Sequence, residues 1–289
     1  MTMPSATAVI ESTPRPSVST WALHPLLGKT FPGRPGDPDA FLIPPAEDAA
    51  LDLLDVPAAL AARGFHTMEL CHFHLPSRED AYLGQFRAAL DDAGVELWSL
   101  LIDDGDVTHP EHGGRDANWI RGWLDTAGSL GARCARVIAG KQEPTAESLG
   151  ASRERLLGLA VEAYVRGMRL MTENWFALLA RPEYVDALLS NLNGMMGLCL
   201  DFGNWSGPTK YEDLAAIAPR AESCHAKCQF REGEPDEEDF ARCLALLVNA
   251  GYLGPYTLVH GEPGDVWGSL QRQRDLLVRC GAVRPEVKA

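Results

Sequence analysis

Five times in this chain a stretch of helical character stops on a glycine and a short apolar run follows at once, at Gly64, Gly94, Gly131, Gly167 and Gly251. Glycine just past a helix takes the left-handed conformation that ends it. A chain that keeps turning from helix into strand in this way builds parallel strands joined by helical crossovers. Eight strand candidates follow: Ser17–His24, Phe65–His74, Val95–Ile102, Cys134–Ile138, Leu170–Glu173, Gly197–Asp201, Glu222–His225 and Tyr256–Val259. Helices are expected over Asp48–Arg63, Ser77–Ala93 with Ser77 as its cap, Arg115–Leu130, Ala146–Arg166, Pro182–Leu192, Tyr211–Ala218, Glu237–Ala250 and Val266–Arg279. Eight βα units in 289 residues predict an α/β fold, a single-domain (β/α)8 TIM barrel. A doubly wound open sheet is the alternative, but no G-x-G-x-x-G follows a strand. Residues 17–289 are assigned to the barrel and 1–16, rich in Ser, Thr and Pro, to a flexible leader.

Charge limits the partners. Forty acidic side chains face 26 basic ones, a formal net charge of −14. A phosphate backbone is held by clustered Lys and Arg, so nucleic acid is not expected as a partner, and an anionic membrane surface fits no better. No apolar run reaches transmembrane length. The seven cysteines include no CxxC pair and read as buried free thiols of a cytoplasmic protein. Thiolate ligation by Cys224 and Cys228, which flank His225, is the alternative.

The strand ends carry the chemistry. One run ends in Glu173 and Asn174, another in Asp201, a third in His225. A carboxylate at the end of a buried strand is costly unless something pairs with it. Glu, Asp and His together suggest one shared divalent cation. In a barrel all strand ends gather on one face, which joins His24, Glu69, His74 and Asp103 to that set. Each residue also has a plainer reading. Glu173 pairs with Arg169, Asp201 caps the next turn, and His225 is a core histidine. Asp103, Asp104 and Asp106 form a self-capped turn. Trp21, Trp175 and Trp205 are core rather than a wall for sugar C–H faces. The long loops Leu26–Glu47 and Asp103–Arg115 are expected to set specificity.

From Ser17 to about Gly281 the chain resembles the xylose-isomerase-like barrels, which include sugar isomerases, ketose epimerases, inosose dehydratases and divergent AP endonucleases. The residues that carry the resemblance are Ser17–His24, Glu69–His74, Thr172-Glu173-Asn174, Leu200-Asp201, His225-Ala226-Lys227 and Pro263–Trp267. Their order and spacing carry more than any one of them: 28 positions from Glu173 to Asp201 and 24 from Asp201 to His225. The resemblance implies a metal-dependent isomerase or epimerase acting on a ketose or related polyhydroxy carbonyl compound, with Mn2+ or Mg2+ as cofactor and proton transfer through an enediolate. It implies Glu173, Asp201 and His225 as metal ligands, Glu173 as a catalytic base, and Arg231, six residues after the ligand histidine, as a substrate contact. Trp21, Glu69, His74 and Lys227 are expected around the substrate, and homodimers or homotetramers are common in such families.

Two departures stand out. The histidine that epimerases carry three residues after the ligand Asp is Asn204 here, which hydrogen-bonds a hydroxyl but is no acid or base near neutral pH. Aligned through Pro263-Gly264-Asp265, the last-strand Glu falls at Val259. Glu262 is taken as the substitute fourth ligand and second catalytic glutamate, ahead of His260; a site of three protein ligands and waters is the alternative. The same site suits a keto-inositol or sugar dehydratase, and loss of the fourth ligand suits a non-catalytic sugar-binding barrel.

Overall fold

The computed structural model describes residues 13–27, 34–36, 49–231, 233–259 and 264–285. Eight strands close into a parallel barrel. They are β1 Arg15–Ser19, β2 Thr67–Cys71, β3 Glu96–Ile102, β4 Cys134–Val137, β5 Arg169–Glu173, β6 Met196–Asp201, β7 Ala221–Lys227 and a closing strand, Pro255–Val259. The closing strand pairs with β7 on one side and β1 on the other, and β1 pairs with β2, which completes the ring. Phe230–Arg231 and Glu234–Pro235 form a separate small antiparallel pair after β7.

The outer helices form where apolar residues recur at helical spacing. In Gly113–Leu130, the side chains of Trp119, Ile120, Trp123, Leu124, Ala127 and Leu130 make one buried stripe against the barrel. Two of the expected glycine stops show why that residue is needed. Gly94 and Gly131 end their helices at φ 62° and 74°, in the left-handed region. None of the described helices is long and apolar enough to cross a membrane.

Several boundaries differ from expectation. The first strand begins at Arg15, so Arg15 and Pro16 belong to the barrel rather than to a leader, and it stops at Ser19 rather than His24. There the Ser19 hydroxyl accepts the Trp21 N–H at 3.2 Å and turns the chain toward a one-turn helix, His24–Leu27. The second strand ends at Cys71, and His72–His74 form a 3-10 turn. The helix expected over Asp48–Arg63 shrinks to Val56–Ala61, preceded by a 3-10 turn that Asp52 caps. The helix expected from Ser77 begins at Asp80, and Ser77 instead accepts the Glu79 N–H. Most of the loop Leu26–Glu47 lies outside the described residues.

The amino-terminal half of the barrel interior is filled. Trp98 is 1% exposed and packs with Cys134 and Met171. Its indole N–H donates across the barrel to Ser223 Oγ at 3.0 Å. Arg15 lies over the Trp98 ring and pairs with Glu96 at 2.5 Å, while Arg169 pairs with Glu222 through bonds of 2.6 and 2.8 Å. Arg169 is therefore committed at the far end of its strand and is not the partner of Glu173.

Candidate active site

Above that packed floor, at the carboxyl ends of the strands, lies a pocket of about 490 Å3. This is the face on which barrel enzymes build their sites. Glu173, Asp201 and His225 meet there from three successive strands, all 5% exposed or less. Register explains part of this, since Asp201 and His225 are direct partners across β6 and β7. His225 Nδ1 lies 3.3 Å from Glu173 Oε2 and 3.6 Å from Asp201 Oδ2. Donors held about 2.0–2.2 Å from one divalent ion stand about 3–3.6 Å apart, so His225 stands at ligand spacing from each carboxylate, while the set whose ligand atoms all lie within 4.8 Å of one another is Glu173, Cys199 and His225.

Each carboxylate divides its oxygens. Asp201 Oδ1 accepts the backbone N–H groups of Gly203 and Asn204 at 2.6 and 2.8 Å, which leaves Oδ2 toward His225. Asp201 is thus both a turn cap and a candidate ligand. Glu173 Oε1 accepts the Asn204 side-chain amide at 2.6 Å. Glu173 Oε2 is buried with no hydrogen-bond donor aligned to it, although Arg136 Nε stands 3.0 Å away as an ion-pair partner. A buried carboxylate oxygen without an aligned donor calls for a partner, and a bound cation is one that serves. Asn204 therefore ties the two carboxylates together. Asn174 straps the strand end beneath them, donating to the Asp201 carbonyl at 3.1 Å and accepting the Asp201 N–H at 2.7 Å.

Glu69 holds the other side of His225. Its carboxylate accepts from Nε2 at 2.8 Å, which fixes the ring with Nδ1 toward Glu173 and Asp201. Burial disfavours the charged imidazole, yet Cys199, Glu173 and Glu69 around it raise His225 well above its ordinary value. Burial likewise pushes Glu173 up, but Arg136 and His225 outweigh it and hold the carboxyl down at about 2. Cys199 lies close enough to join Glu173 and His225 around one ion. Burial raises its thiol to about 11, so it stays protonated near neutral pH.

The remaining candidates divide. Lys227 lines the pocket and forms no ion pair among the described residues. Its stem crosses Gly203 so closely that a Cβ there would lie 2.6 Å from the lysine Cδ. Val259 also lines the pocket and is the register partner of Lys227. Trp21, 44% exposed, stands at the mouth with Trp175. Phe176, whose ring lies tilted 4.3 Å from that of Trp175, takes φ 57°, a strained conformation for an aromatic residue next to a pocket residue. Trp205 belongs to the core, its indole N–H bonded to the Leu179 carbonyl. His74 is not among the pocket residues; it joins Thr20 at 2.9 Å and His24 at 3.1 Å behind the site. Arg231 is also absent from the lining, with its side chain 82% exposed and paired with Asp236 at 2.8 Å. Glu262 and His260 lie outside the described residues. Cys224 and Cys228 belong to the apolar core.

Arg136 was not singled out by sequence, because it interrupts an otherwise apolar strand with no motif around it. Its side chain is 4% exposed and joins Glu173 to Asp103, with Nη2 at 2.5 Å from Asp103 Oδ1. A basic residue inside a buried strand was the available signal. Asp103 and Asp104 are correspondingly more than a self-capped turn, since they neutralise Arg136 and Lys141 on the pocket wall.

Next to this wall His72 accepts the Asp103 N–H through Nδ1 at 3.2 Å and turns its other edge to Trp119 and Trp123. Burial lowers it to about 4. Below pH 6.5 the unfolded chain binds a proton at this residue that the folded chain refuses, so stability rises with pH through this window. Between pH 6.5 and about 4, His72 alone is expected to remove stability at up to about 1.4 kcal/mol per pH unit. Denaturant unfolding at several pH values checks this: His72→Phe should flatten the slope, and an unchanged slope would assign it to other groups.

Eight parallel strands closed into one ring, with helices between them, define the class as a (β/α)8 barrel. Residues 57–274 match the family described as xylose isomerase-like TIM barrel. The chain belongs to that family. A Streptomyces coelicolor protein named as an inferred hydroxypyruvate isomerase is 32% identical over 103 residues, covering 32% of this chain and 37% of that one. The chain thus spans little more than a third of the curated relative it matches. Among solved structures, a Mycobacterium smegmatis xylose isomerase-like barrel in complex with magnesium has a TM-score of 0.66 at 17% identity, covering 98% of this chain and 100% of that one. A sugar phosphate isomerase/epimerase from Parabacteroides distasonis has a TM-score of 0.65 at 14% identity, with the same coverage. At such identity these structures establish the shared fold.

Proposed function

We propose that this protein is an isomerase that moves a carbonyl group between adjacent carbons of a small hydroxy-carbonyl acid, with a divalent cation, Mn2+ or Mg2+, held by Glu173, Asp201 and His225. The observation that carries this reading is the convergence of those three side chains on one buried pocket, with Glu173 Oε2 lacking a hydrogen-bond donor. When bound, the cation supplies positive charge against the negative charge that develops as a proton leaves the carbon beside the carbonyl.

The residues of the chain set the rest. Glu173, ionised at neutral pH, takes the proton from the hydroxyl-bearing carbon and returns it to the neighbouring carbon, while the hydroxyl proton passes to the former carbonyl oxygen, so that C=O and C–OH exchange places. Isomerisation returns the proton on the face it left, so one carboxylate suffices. Epimerisation needs a second base on the opposite face, and Val259 occupies the last-strand position where the resemblance places that glutamate. Valine at that position is what favours isomerisation over epimerisation. Asn204 holds Glu173 in orientation, and Glu69 fixes the His225 ring. Lys227, with valine rather than a carboxylate as its register partner, is available to a substrate carboxylate. The partial likeness to the Streptomyces coelicolor protein supports the same substrate class.

Incubation with Mn2+ and hydroxypyruvate in D2O, followed by proton NMR, tests the reading. Formation of the isomeric aldehyde, with deuterium entering at the carbon next to the carbonyl, is expected. Exchange or turnover on a panel of ketoses with inversion at one carbon would replace it with an epimerase. Elimination of water would replace it with a dehydratase.

A further inference from the structure

The ligand cluster contains a cation of its own. Arg136 projects from β4 into the pocket, 4% exposed, and places Nε 3.0 Å from Glu173 Oε2. That oxygen also faces His225 Nδ1 and is the one left without an aligned donor. A divalent ion and the guanidinium thus call on the same atom. Arg136 is anchored by Asp103 at 2.5 Å, while its Nη1 is buried without a hydrogen-bond partner, so the group is seated at the site rather than passing through it. Charge reinforces the competition. The charges of the lining balance without an ion, since Glu173, Asp201, Asp103 and Asp104 face Arg136, Lys227, Lys141 and Arg34, so a divalent ion makes the pocket net positive, and Val259 adds no carboxylate.

We propose that Arg136 is a built-in countercation that competes with the divalent ion for Glu173. The site then binds the ion weakly by itself and takes it up more firmly together with an anionic substrate. This rests on the metal-site reading above. Like charges crowded into a low-dielectric pocket repel more strongly than in water, which sets the direction of the effect. The coupling is reciprocal: a substrate carboxylate that relieves the excess positive charge raises affinity for the ion, and the ion raises affinity for the carboxylate.

Mn2+ titration followed by electron paramagnetic resonance reads the affinity without reference to activity. Arg136→Met is expected to bind Mn2+ at least about tenfold more tightly than the wild type, the effect of about 1.4 kcal/mol of relieved repulsion. Arg136→Lys, which keeps the charge, is expected to stay near the wild type. Arg136→Gln carries the same test if the methionine variant does not fold. Equal or weaker binding in a folded neutral variant, with Mn2+ still bound by the wild type, overturns the competition and leaves the metal site standing. Absence of Mn2+ binding in both wild type and neutral variants overturns the metal site itself, and the proposal with it.

Discussion

Glu173→Gln is expected to lower turnover by about 100- to 10,000-fold, the usual contribution of a positioned general base, and to weaken Mn2+ uptake in parallel. The change keeps the shape of the side chain and removes its charge. In the wild type that charge meets Arg136 Nε at 3.0 Å and His225 Nδ1 at 3.3 Å, and Oε1 accepts the Asn204 amide. A glutamine can still accept from Asn204 through its oxygen, but its NH2 group then faces the Arg136 guanidinium. Three donors would crowd one buried space. Metal binding and turnover should therefore fall together while circular dichroism stays that of the wild type. A variant that keeps turnover within tenfold would remove Glu173 from the proton transfer, whatever happened to the metal.

Trp98→Ala is expected to destabilise the fold by about 3–5 kcal/mol, the range for truncating a fully buried large aromatic side chain. Trp98 fills the barrel interior with Cys134 and Met171, and its indole N–H is bonded to Ser223. Ser223 Oγ lies 3.4 Å from Glu69 Oε1, and Glu69 fixes His225. The substitution thus opens a cavity and releases the support of a candidate ligand. Urea unfolding measures the first effect, and the second predicts weaker Mn2+ binding in the folded variant. A loss below about 1 kcal/mol would mean that the interior collapses around the smaller side chain. Trp98→Phe should cost less, since it restores much of the volume without the hydrogen bond.

Much of this architecture is legible in the sequence because the cues are local. Glycine stops at Gly94 and Gly131 mark helix ends through a backbone requirement. The order of Glu173, Asp201 and His225 is legible because Glu173 and Asp201 close apolar strands and His225 lies two residues before the end of its own. What sequence does not carry is which oxygen of a side chain is engaged. Asn204 looks like a substrate contact along the chain, and only in three dimensions does it join Glu173 to Asp201. Arg136 is harder still, since its partners lie 33 positions before it and 37 after it. His74 and Arg231 mislead for the opposite reason. They stand at the expected intervals, but the turn at His72–His74 and the small strand pair at Phe230–Pro235 direct them away from the pocket.

The filled floor of the barrel has a kinetic consequence. With Trp98, Cys134 and Met171 filling the interior below the site, the described residues leave the pocket open on the side of its mouth, where the half-exposed Trp21 stands. On the proposed isomerase reading, substrate and product enter and leave by that same side, and each occupies the pocket to the exclusion of the other. Net conversion then follows whichever isomer is removed faster outside the protein.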